Sequence, residues 1–354
     1  MAANFAAIDP YIETNIVSPR EKKMSGRDYV MWGDGNAYPD YIASLLETVP
    51  TLASIVNGSA DFAAGDDCSL SVLGGRPNRT GESVHSLVRD LSLDYYGYGG
   101  FALQVIRNNM GDIAEIHRTA ARFLRSNETA TMFYYNEEWD RRASRYVEIP
   151  AFRPEDRAVA TSILFVRNTH MPNVYPLPVY ATSVKACELE RSIDEYHLYE
   201  INNGFAPSVM ISFNNGIPSD DVKQEIERTV VEKFSGKKNA GRILLAWNDG
   251  VQNRATIQQM SVSDFGQKYE SLAKRSRQQI FTAFRANPNL FGIPTESLGF
   301  SEEEYAQAFK LYNRTSVRPV QRRITDAFDY IFGAQGVLTI TPFSLETAGE
   351  SNVR

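Results

Sequence analysis

The strongest constraint on the fold is a pair of long predicted helices separated by a short segment of mixed character. Periodic apolar residues predict the first helix over Ser183–Ile201. The second is predicted over Ser261–Ala286, where Ser261 and Asp264 form a capping-box pattern and Pro288 ends the helix soon afterwards. At ~1.5 Å per residue, this second helix spans ~37 Å. The chain must therefore fold two long rods around a small insertion.

The segment between the two helices is predicted to be a small αβ insertion. A strand is expected first, then a charged helix that begins at Ser219 and stops before Gly236, and finally two more strands. The strands are Ser208–Phe213, Ile243–Trp247 and Ala255–Met260.

The N-terminal half is predicted to combine short helices with an antiparallel sheet. Residues 1–36 show no period and are expected to form an arm or a poorly ordered tail. Helices are expected from Asp40, from Thr51 to Gly58 and over Ser83–Tyr96, the last ended by the glycine-rich turn at 97–100. Five short strands joined by tight turns favour antiparallel pairing: Phe101–Arg107, Ile113–Arg118, Ala130–Tyr135, Arg145–Phe152 and Ser162–Arg167.

The C-terminal part is predicted to be a loop, a kinked helix and one strand. The loop Asn289–Gly299 is followed by Ser301, which begins a helix toward Phe332. Pro319 lies inside that helix and predicts a kink near Ser316. A strand is expected over residues 337–341.

The distribution of charge is more informative than its total. The net charge is -6, which argues against a protein that grips nucleic acid through its whole surface. Residues 234–287 nevertheless carry nine Lys or Arg against three acids, a local charge of +6. Lys274, Arg275 and Arg277 cluster midway along the second long helix. Such a cluster is either a solvated face or a surface directed at a polyanion or an acidic neighbour.

Catalytic and metal-binding patterns are not found in the sequence. It contains no P-loop, nucleophile elbow, zinc-protease motif or calcium loop. Its histidines are expected to be scattered, Cys68 and Cys187 to be buried thiols, and Glu137 and Glu138 to lie in a solvated turn beside Trp139. Because these motifs are missing, no cofactor or metal is expected. Neither a signal peptide nor a membrane-spanning run is apparent, so no membrane partner is expected.

Several local motifs, in their order along the chain, resemble the portal proteins of tailed bacteriophages. Tyr199–Pro207 (YEINNGFAP) resembles the end of the first stem helix in that family, and Phe234–Arg242 (FSGKKNAGR) is similar to the turn that leaves the clip helix. Ile280–Gly292 (IFTAFRANPNLFG) resembles the stretch that closes the second stem helix. The run from Ser301 to Ile324 is similar to the long kinked helix of these proteins.

This resemblance implies an α+β portal fold with a mixed α/β wing, two long stem helices flanking a small αβ clip, and a kinked C-terminal helix. The implied division along the chain is an N-terminal arm (1–36), a wing (37–179), stem helix 1 (180–204), the clip (205–260), stem helix 2 (261–287), a tunnel loop (288–300), and a kinked helix with a wing strand (301–354), with a short or absent crown.

The resemblance also implies a non-enzymatic protein that forms a ring, typically of twelve subunits, at one vertex of a capsid. Expected partners are other copies of the chain, the terminase large subunit, the major capsid and scaffold proteins, a head-tail adaptor, and double-stranded DNA passing through the channel. The protein would reside in the virion, and in the host cytoplasm during assembly. A nucleic-acid-processing enzyme and another ring-forming head-tail adaptor remain alternatives.

Specific residues are expected to carry these roles. The residues expected to dock the motor or adaptor at the clip are Lys237, Lys238, Asn239 and Arg242. The tunnel-loop residues expected to face DNA are Asn289, Pro294, Thr295 and Ser297. Three cations are expected on the channel wall or at a subunit interface: Lys274, Arg275 and Arg277.

Overall fold

A computed structural model describes most of the chain, and it divides the chain into two compact units. The larger unit includes Ile16–Glu188 and Arg277–Arg354, and the smaller unit includes Leu189–Ser276. The described residues are 16–139, 145–168, 173–202, 209–213, 219, 221–222, 243–247, 256–259, 265–292 and 302–344.

The order of elements follows the predicted organisation closely. The described α-helices are α1 (Tyr38–Thr48), α2 (Pro50–Ala64), α3 (Val84–Tyr98), α4 (Val184–Asn202), α5 (Phe265–Phe284), α6 (Glu302–Tyr312) and α7 (Arg318–Phe332). The described strands are β1 (Lys22–Lys23), β2 (Val30–Met31), β3 (Asp67–Leu70), β4 (Gly100–Arg107), β5 (Ile113–Thr119), β6 (Leu124–Ser126), β7 (Met132–Tyr135), β8 (Val147–Pro150), β9 (Thr161–Arg167), β10 (Val209–Phe213), β11 (Ile243–Trp247), β12 (Thr256–Gln259) and β13 (Leu338–Thr341).

The predicted antiparallel pairing of the N-terminal half is confirmed, but the strands form two small sheets. One has the order β5-β4-β9 and the other β6-β7-β8, and every pairing in both is antiparallel. Sequence patterns missed β6 because it is only three residues long and follows a 3-10 turn. All the predicted strands of this half are present within a few residues of their expected bounds.

A tight approach of backbones explains the glycine-rich turn that ends α3. Gly99 adopts a left-handed conformation, with φ 87°, and its N–H donates to the carbonyl of Tyr95. At Gly100, a Cβ would lie 2.6 Å from the carbonyl oxygen of Val166 on β9. The turn thus brings β4 against its neighbouring strand, and the prediction of a helix-ending turn is confirmed, although the helix continues through Tyr98.

The smaller unit contains a three-stranded sheet with β10 at its centre. β10 pairs in parallel with β11 and antiparallel with β12. The parallel pair requires a crossover connection between Phe213 and Ile243. The helix predicted from Ser219 falls in this interval, which lies largely outside the described residues.

The sequence predicts an arm or a poorly ordered tail over residues 1–36, and the poorly ordered alternative is wrong for residues 29–36, which pack into the fold. Tyr29, Trp32 and Asn36 are buried, and the Trp32 ring stacks on Tyr175 with 4.5 Å between centroids. The guanidinium of the fully buried Arg125 donates to both the side chain and the backbone carbonyl of Asn36. Burial lowers the pKa of Arg125 to about 10, so the group remains a cation at neutral pH and these acceptors hold the segment in place.

Trp139 is also buried, contrary to a fully solvated turn. Its Nε1 donates to the carbonyl of Phe123, and its ring lies 4.8 Å from that of Tyr29. The neighbouring Glu137 and Glu138 are exposed, as expected. An aromatic cluster formed with the N-terminal segment therefore explains the tryptophan, while the acidic residues face water.

The predicted kink in the C-terminal helix is confirmed, and it takes the form of a π-helical turn. Residues Asn313–Val317 form this wider turn between α6 and α7, with Pro319 in the first turn of α7. Proline has no N–H to donate, so the regular bonding pattern of the preceding turn is broken. The hydroxyl of Tyr96 on α3 donates to the carbonyl of Ser316 and satisfies one acceptor in the widened turn.

The core of the larger unit joins its N-terminal and C-terminal parts. β3 pairs antiparallel with β13, so residues 67–70 contact residues 338–341. Cys68 and Cys187 are buried and are not joined in a disulfide, as predicted. Among the helices that the structure describes, none is both long and apolar enough to cross a bilayer.

Candidate functional site

The segment that closes α5 is held in a compact turn at the start of the predicted tunnel loop. Arg285 has a φ of 54°, which turns the chain out of the helix. The side-chain oxygen of Asn287 then accepts from the N–H of Asn289 at 3.1 Å and caps the 3-10 helix Pro288–Phe291. Gly292 ends this turn in a left-handed conformation. The first residues of the predicted loop are therefore ordered by local hydrogen bonds.

Phe291 anchors this turn in the hydrophobic core. Its ring contacts those of Phe62 and Tyr312 edge-on, with centroid separations of 5.9 and 5.5 Å. Its carbonyl accepts a hydrogen bond from the hydroxyl of Ser54 on α2 at 3.0 Å. A Cβ at Gly58, one turn further along α2, would lie 2.8 Å from Cδ1 of Phe291. The glycine thus leaves room for the phenylalanine.

The same contact explains why α2 is longer than predicted. The sequence favoured a helix end at Gly58, but α2 continues to Ala64 and ends at Gly65. Glycine inside a helix costs about 1 kcal/mol relative to alanine, and here the missing side chain admits an aromatic ring. Sequence reasoning could not distinguish this glycine from a terminating one, because its partner is more than 200 positions away.

Helices α4 and α5 pack against each other through aromatic rings within each unit. In the larger unit, Tyr180, just before α4, stacks on Phe284 at the end of α5, with 5.1 Å between centroids. In the smaller unit, Tyr196 of α4 stacks on Tyr269 of α5 at 4.8 Å. The two long predicted helices are thus adjacent.

The basic cluster of the second long helix lies at the surface. Lys274, Arg275 and Arg277 are all exposed on α5, while Ser276 between them is buried. The structure therefore places these three side chains where they can meet solvent, a polyanion or a neighbouring protein. Asn289 is half-buried in the capped turn. Its predicted role facing DNA stays a prediction.

The remaining residues expected to be functional lie outside the described residues. They are Lys237, Lys238, Asn239 and Arg242 of the predicted clip, and Pro294, Thr295 and Ser297 of the predicted tunnel loop.

Two ionisable groups buried in the larger unit, Asp94 and Tyr312, have hydrogen-bond partners. Asp94 of α3 accepts two hydrogen bonds from the guanidinium of Arg118; burial raises the pKa of Asp94, and Arg118 acts in the opposite direction. Burial also raises the pKa of Tyr312 to about 12, although the hydrogen bond with Ser59 acts to lower it. This phenol is therefore neutral at physiological pH. Within the described ranges, no group of three or more His, Cys, Asp or Glu side chains could hold a metal ion.

Known structures superpose on this chain over most of its length. The neck of a native GTA particle, computed with C12 symmetry, has a chain that superposes with a TM-score of 0.58 at 18% identity, over 87% of this chain and 85% of that chain. An HK97 family phage portal protein from Corynebacterium diphtheriae superposes with a TM-score of 0.55 at 12% identity, over 84% of this chain and 93% of that chain. The architecture is therefore the portal fold.

Sequence comparison gives the family. The family model for phage portal proteins matches residues 42–341, and the chain accordingly belongs to the phage portal protein family. An uncharacterized protein of Rickettsia felis is 26% identical over 178 residues, 47% of this chain and 44% of the relative. One of Rickettsia bellii is 26% identical over 195 residues, 52% of this chain and 48% of the relative. The aligned region thus spans less than half the length of each of these curated relatives.

The contact between Gly58 and Phe291 gives a test of the anchor. Gly58→Ala should destabilise the protein by ~1 kcal/mol, because overpacking costs of ~1–3 kcal/mol exceed the helix-propensity gain of ~1 kcal/mol. The change is measured as a shift of the urea unfolding midpoint. Asn57→Ala, at an exposed neighbouring position of the same helix, is the matched control and should be neutral or slightly stabilising.

A double-mutant cycle identifies the source of the effect. In a Phe291→Leu background, the shorter side chain removes the clash, so Gly58→Ala should lose its destabilising effect. An increase in stability from Gly58→Ala in the otherwise unchanged protein would contradict the anchor.

Proposed function

We propose that this chain forms a ring that acts as the channel for double-stranded DNA at one vertex of a phage-like capsid. The observation that carries this proposal is the match of the portal family model to residues 42–341. The portal fold of the described residues supports it. The C12 symmetry named for the neck of the GTA particle supports a closed ring of about twelve copies. The ring would be part of the particle, and its role would be structural rather than enzymatic.

We assign the parts of the channel by position in the fold. α4 and α5 form the stem, β10–β12 belong to the clip, and the tunnel loop follows Gly292, because residues 288–291 are fixed in the core. In this arrangement, the exposed cations Lys274, Arg275 and Arg277 lie on the stem, facing the channel or the neighbouring subunit. A limited basic surface on an acidic chain suits a passage, since each neutralised phosphate strengthens binding and would slow DNA that must slide.

The proposed partners follow from the sequence of events at a portal. The clip docks the terminase motor while DNA enters, and a head-tail adaptor replaces the motor once the capsid is full. The wing contacts the major capsid and scaffold proteins. During assembly these steps take place in the host cytoplasm.

Ring formation is the direct test of this function. Native mass spectrometry of the purified chain should show a closed oligomer of about twelve copies, and electron microscopy should show a central channel of duplex width. A stable monomer with metal-dependent nuclease activity would replace the proposal with the alternative of a nucleic-acid-processing enzyme.

The clip is tested by reversing charge on Lys237, Lys238 and Arg242. The triple change to Glu should block DNA packaging while leaving ring formation intact, because like charges would then meet the docking surface of the motor. Packaging is measured as nuclease-protected DNA, and ring formation by native mass spectrometry. The matched control replaces Lys22, Lys23 and Arg76 by Glu, the same charge change at exposed positions of the larger unit that have no assigned channel role, and it should package DNA normally. Normal packaging by the clip variant would refute the assignment. That result would also be consistent with the alternative that the protein is a ring-forming head-tail adaptor, which does not bind the terminase motor.

The tunnel loop is tested by a deletion that spares its anchor. Removing residues 293–299 should reduce DNA packaging or retention several-fold, since the loop would approach the duplex. Phe291 and Gly292 are kept, so the core contact with Phe62 is preserved. Thermal unfolding should stay within a few degrees of the intact protein. Unchanged packaging and retention would show that the loop does not act on DNA.

A further inference from the structure

A continuous row of exposed cations crosses the junction between α6 and α7. Lys310, Arg314, Arg318 and Arg322 are spaced four residues apart, and all four are exposed. Residues 310–325 contain no Asp or Glu, although the whole chain has a net charge of -6. We call these four side chains the basic row.

The basic row lies on the side of the helices that faces away from the core. In α7, the buried residues Val320, Ile324, Ala327, Phe328 and Ile331 share one face. At 3.6 residues per turn, Arg318 and Arg322 project from the opposite face. In α6, Lys310 is exposed, whereas Phe309 and Tyr312 are buried. The row is therefore a ridge over a helix whose other face is fixed in the core.

The π-helical turn keeps the four cations in line. In an α-helix, side chains four residues apart are rotated by slightly more than one full turn about the helix axis. Each side chain of such a row therefore points ~40° away from the direction of the previous one. The π-helical turn Asn313–Val317 is wider, at about 4.4 residues per turn. Within it, side chains four residues apart are rotated by less than one full turn, which offsets the rotation accumulated in the α-helices. Over three steps the row extends ~18 Å with about 6 Å between successive positions.

The nearest acid beyond the basic row is the exposed Asp326, four residues after Arg322, and it forms no ion pair with the row within the described part of the chain. None of the four takes part in an ion pair or a side-chain hydrogen bond there, and none lies over an aromatic ring. Other cations of the same unit are paired: Lys23 with Glu128, Arg79 with Glu115, Arg89 with Asp61 and Arg157 with Asp112. The adjacent Arg323 lies over the ring of Tyr95 at 5.8 Å and is not part of the row.

We infer that the basic row is a binding site for the phosphate backbone of double-stranded DNA, distinct from the channel elements. A linear array of unpaired cations of one sign complements a duplex, which carries one negative charge per about 1.7 Å of its axis. The contacts are to phosphates and carry no base sequence information. The site lies on α6 and α7, outside the stem, the clip and the tunnel loop, and does not depend on the formation of a ring.

Salt dependence of DNA binding tests the site directly. A fluorescent 30-base-pair duplex of arbitrary sequence is titrated with the purified protein at salt concentrations between about 50 and 200 mM, and binding is followed by anisotropy. Each phosphate contact contributes about 0.9 to the slope of log K against log salt. Replacing all four cations of the row by Gln should lower that slope by up to ~3.6 and weaken binding at ~50 mM salt at least tenfold.

The paired cations provide a control of identical composition. Lys23, Arg79, Arg89 and Arg157, also one Lys and three Arg, are replaced by Gln in a second variant. This control has the same net charge as the row variant, but its cations are already neutralised by carboxylates, so its slope should change little. An equal loss of affinity in both variants would show that only net charge matters, and would overturn the site.

Single variants and the oligomeric state complete the test. Each of Lys310→Gln, Arg314→Gln, Arg318→Gln and Arg322→Gln should lower the slope by ~0.9, which keeps the test valid if the quadruple variant does not fold. Absence of DNA binding by the unchanged protein would overturn the proposal. So would a row variant that binds DNA normally but no longer self-associates, because the row would then join copies of the chain. A monomer that binds DNA through the basic row would contradict the proposed ring but would support the DNA-binding site.

Discussion

The packing of Phe62 at the centre of an aromatic cluster is the interaction on which the larger unit depends. Its ring contacts those of Phe291, Phe309, Tyr312 and Phe343, with centroid separations between 5.3 and 6.4 Å. These partners come from the turn after α5, from α6 and from the segment after β13, whereas Phe62 belongs to α2. Such edge-to-face contacts add about 0.5–1.5 kcal/mol per pair beyond simple burial. One side chain of α2 therefore contacts the turn after α5, the helix α6 and the segment after β13.

This cluster also determines which parts of the chain can be devoted to function. The turn Pro288–Phe291 is fixed on one side and α6 on the other, so the intervening loop starts and ends on rigid supports. The buried face of α6 and α7 is fixed by the same core, which leaves the basic row on the opposite face. A binding surface on a rigid element loses little conformational entropy when it meets its ligand. The aromatic core thus holds the two proposed DNA-contacting regions, the tunnel loop and the basic row, in place without itself contacting DNA.

The sequence predicted local structure well where the signal was local. The strand Ile243–Trp247 has its predicted bounds, and α4 differs from prediction by a single residue at either end. Pro319 located the π-helical turn because proline acts on the preceding turn of its own helix. The burial of Trp32 and the continuation of α2 past Gly58 could not be predicted, since they depend on Arg125, Tyr175 and Phe291, which are distant in sequence. The roles of the clip and tunnel residues remain predictions.

The pairing of β3 with β13 affects how the protein is made. Because about 270 residues separate the two strands, and synthesis proceeds at about 5–20 residues per second, β3 waits roughly 15 to 55 seconds for its partner. The smaller unit, whose strands are close in sequence, can fold during that delay. The larger unit cannot close until residues 338–341 have left the ribosome. Chains that end before β13 should therefore lack the completed core of the larger unit, and they would be excluded from a ring whose subunits need that core.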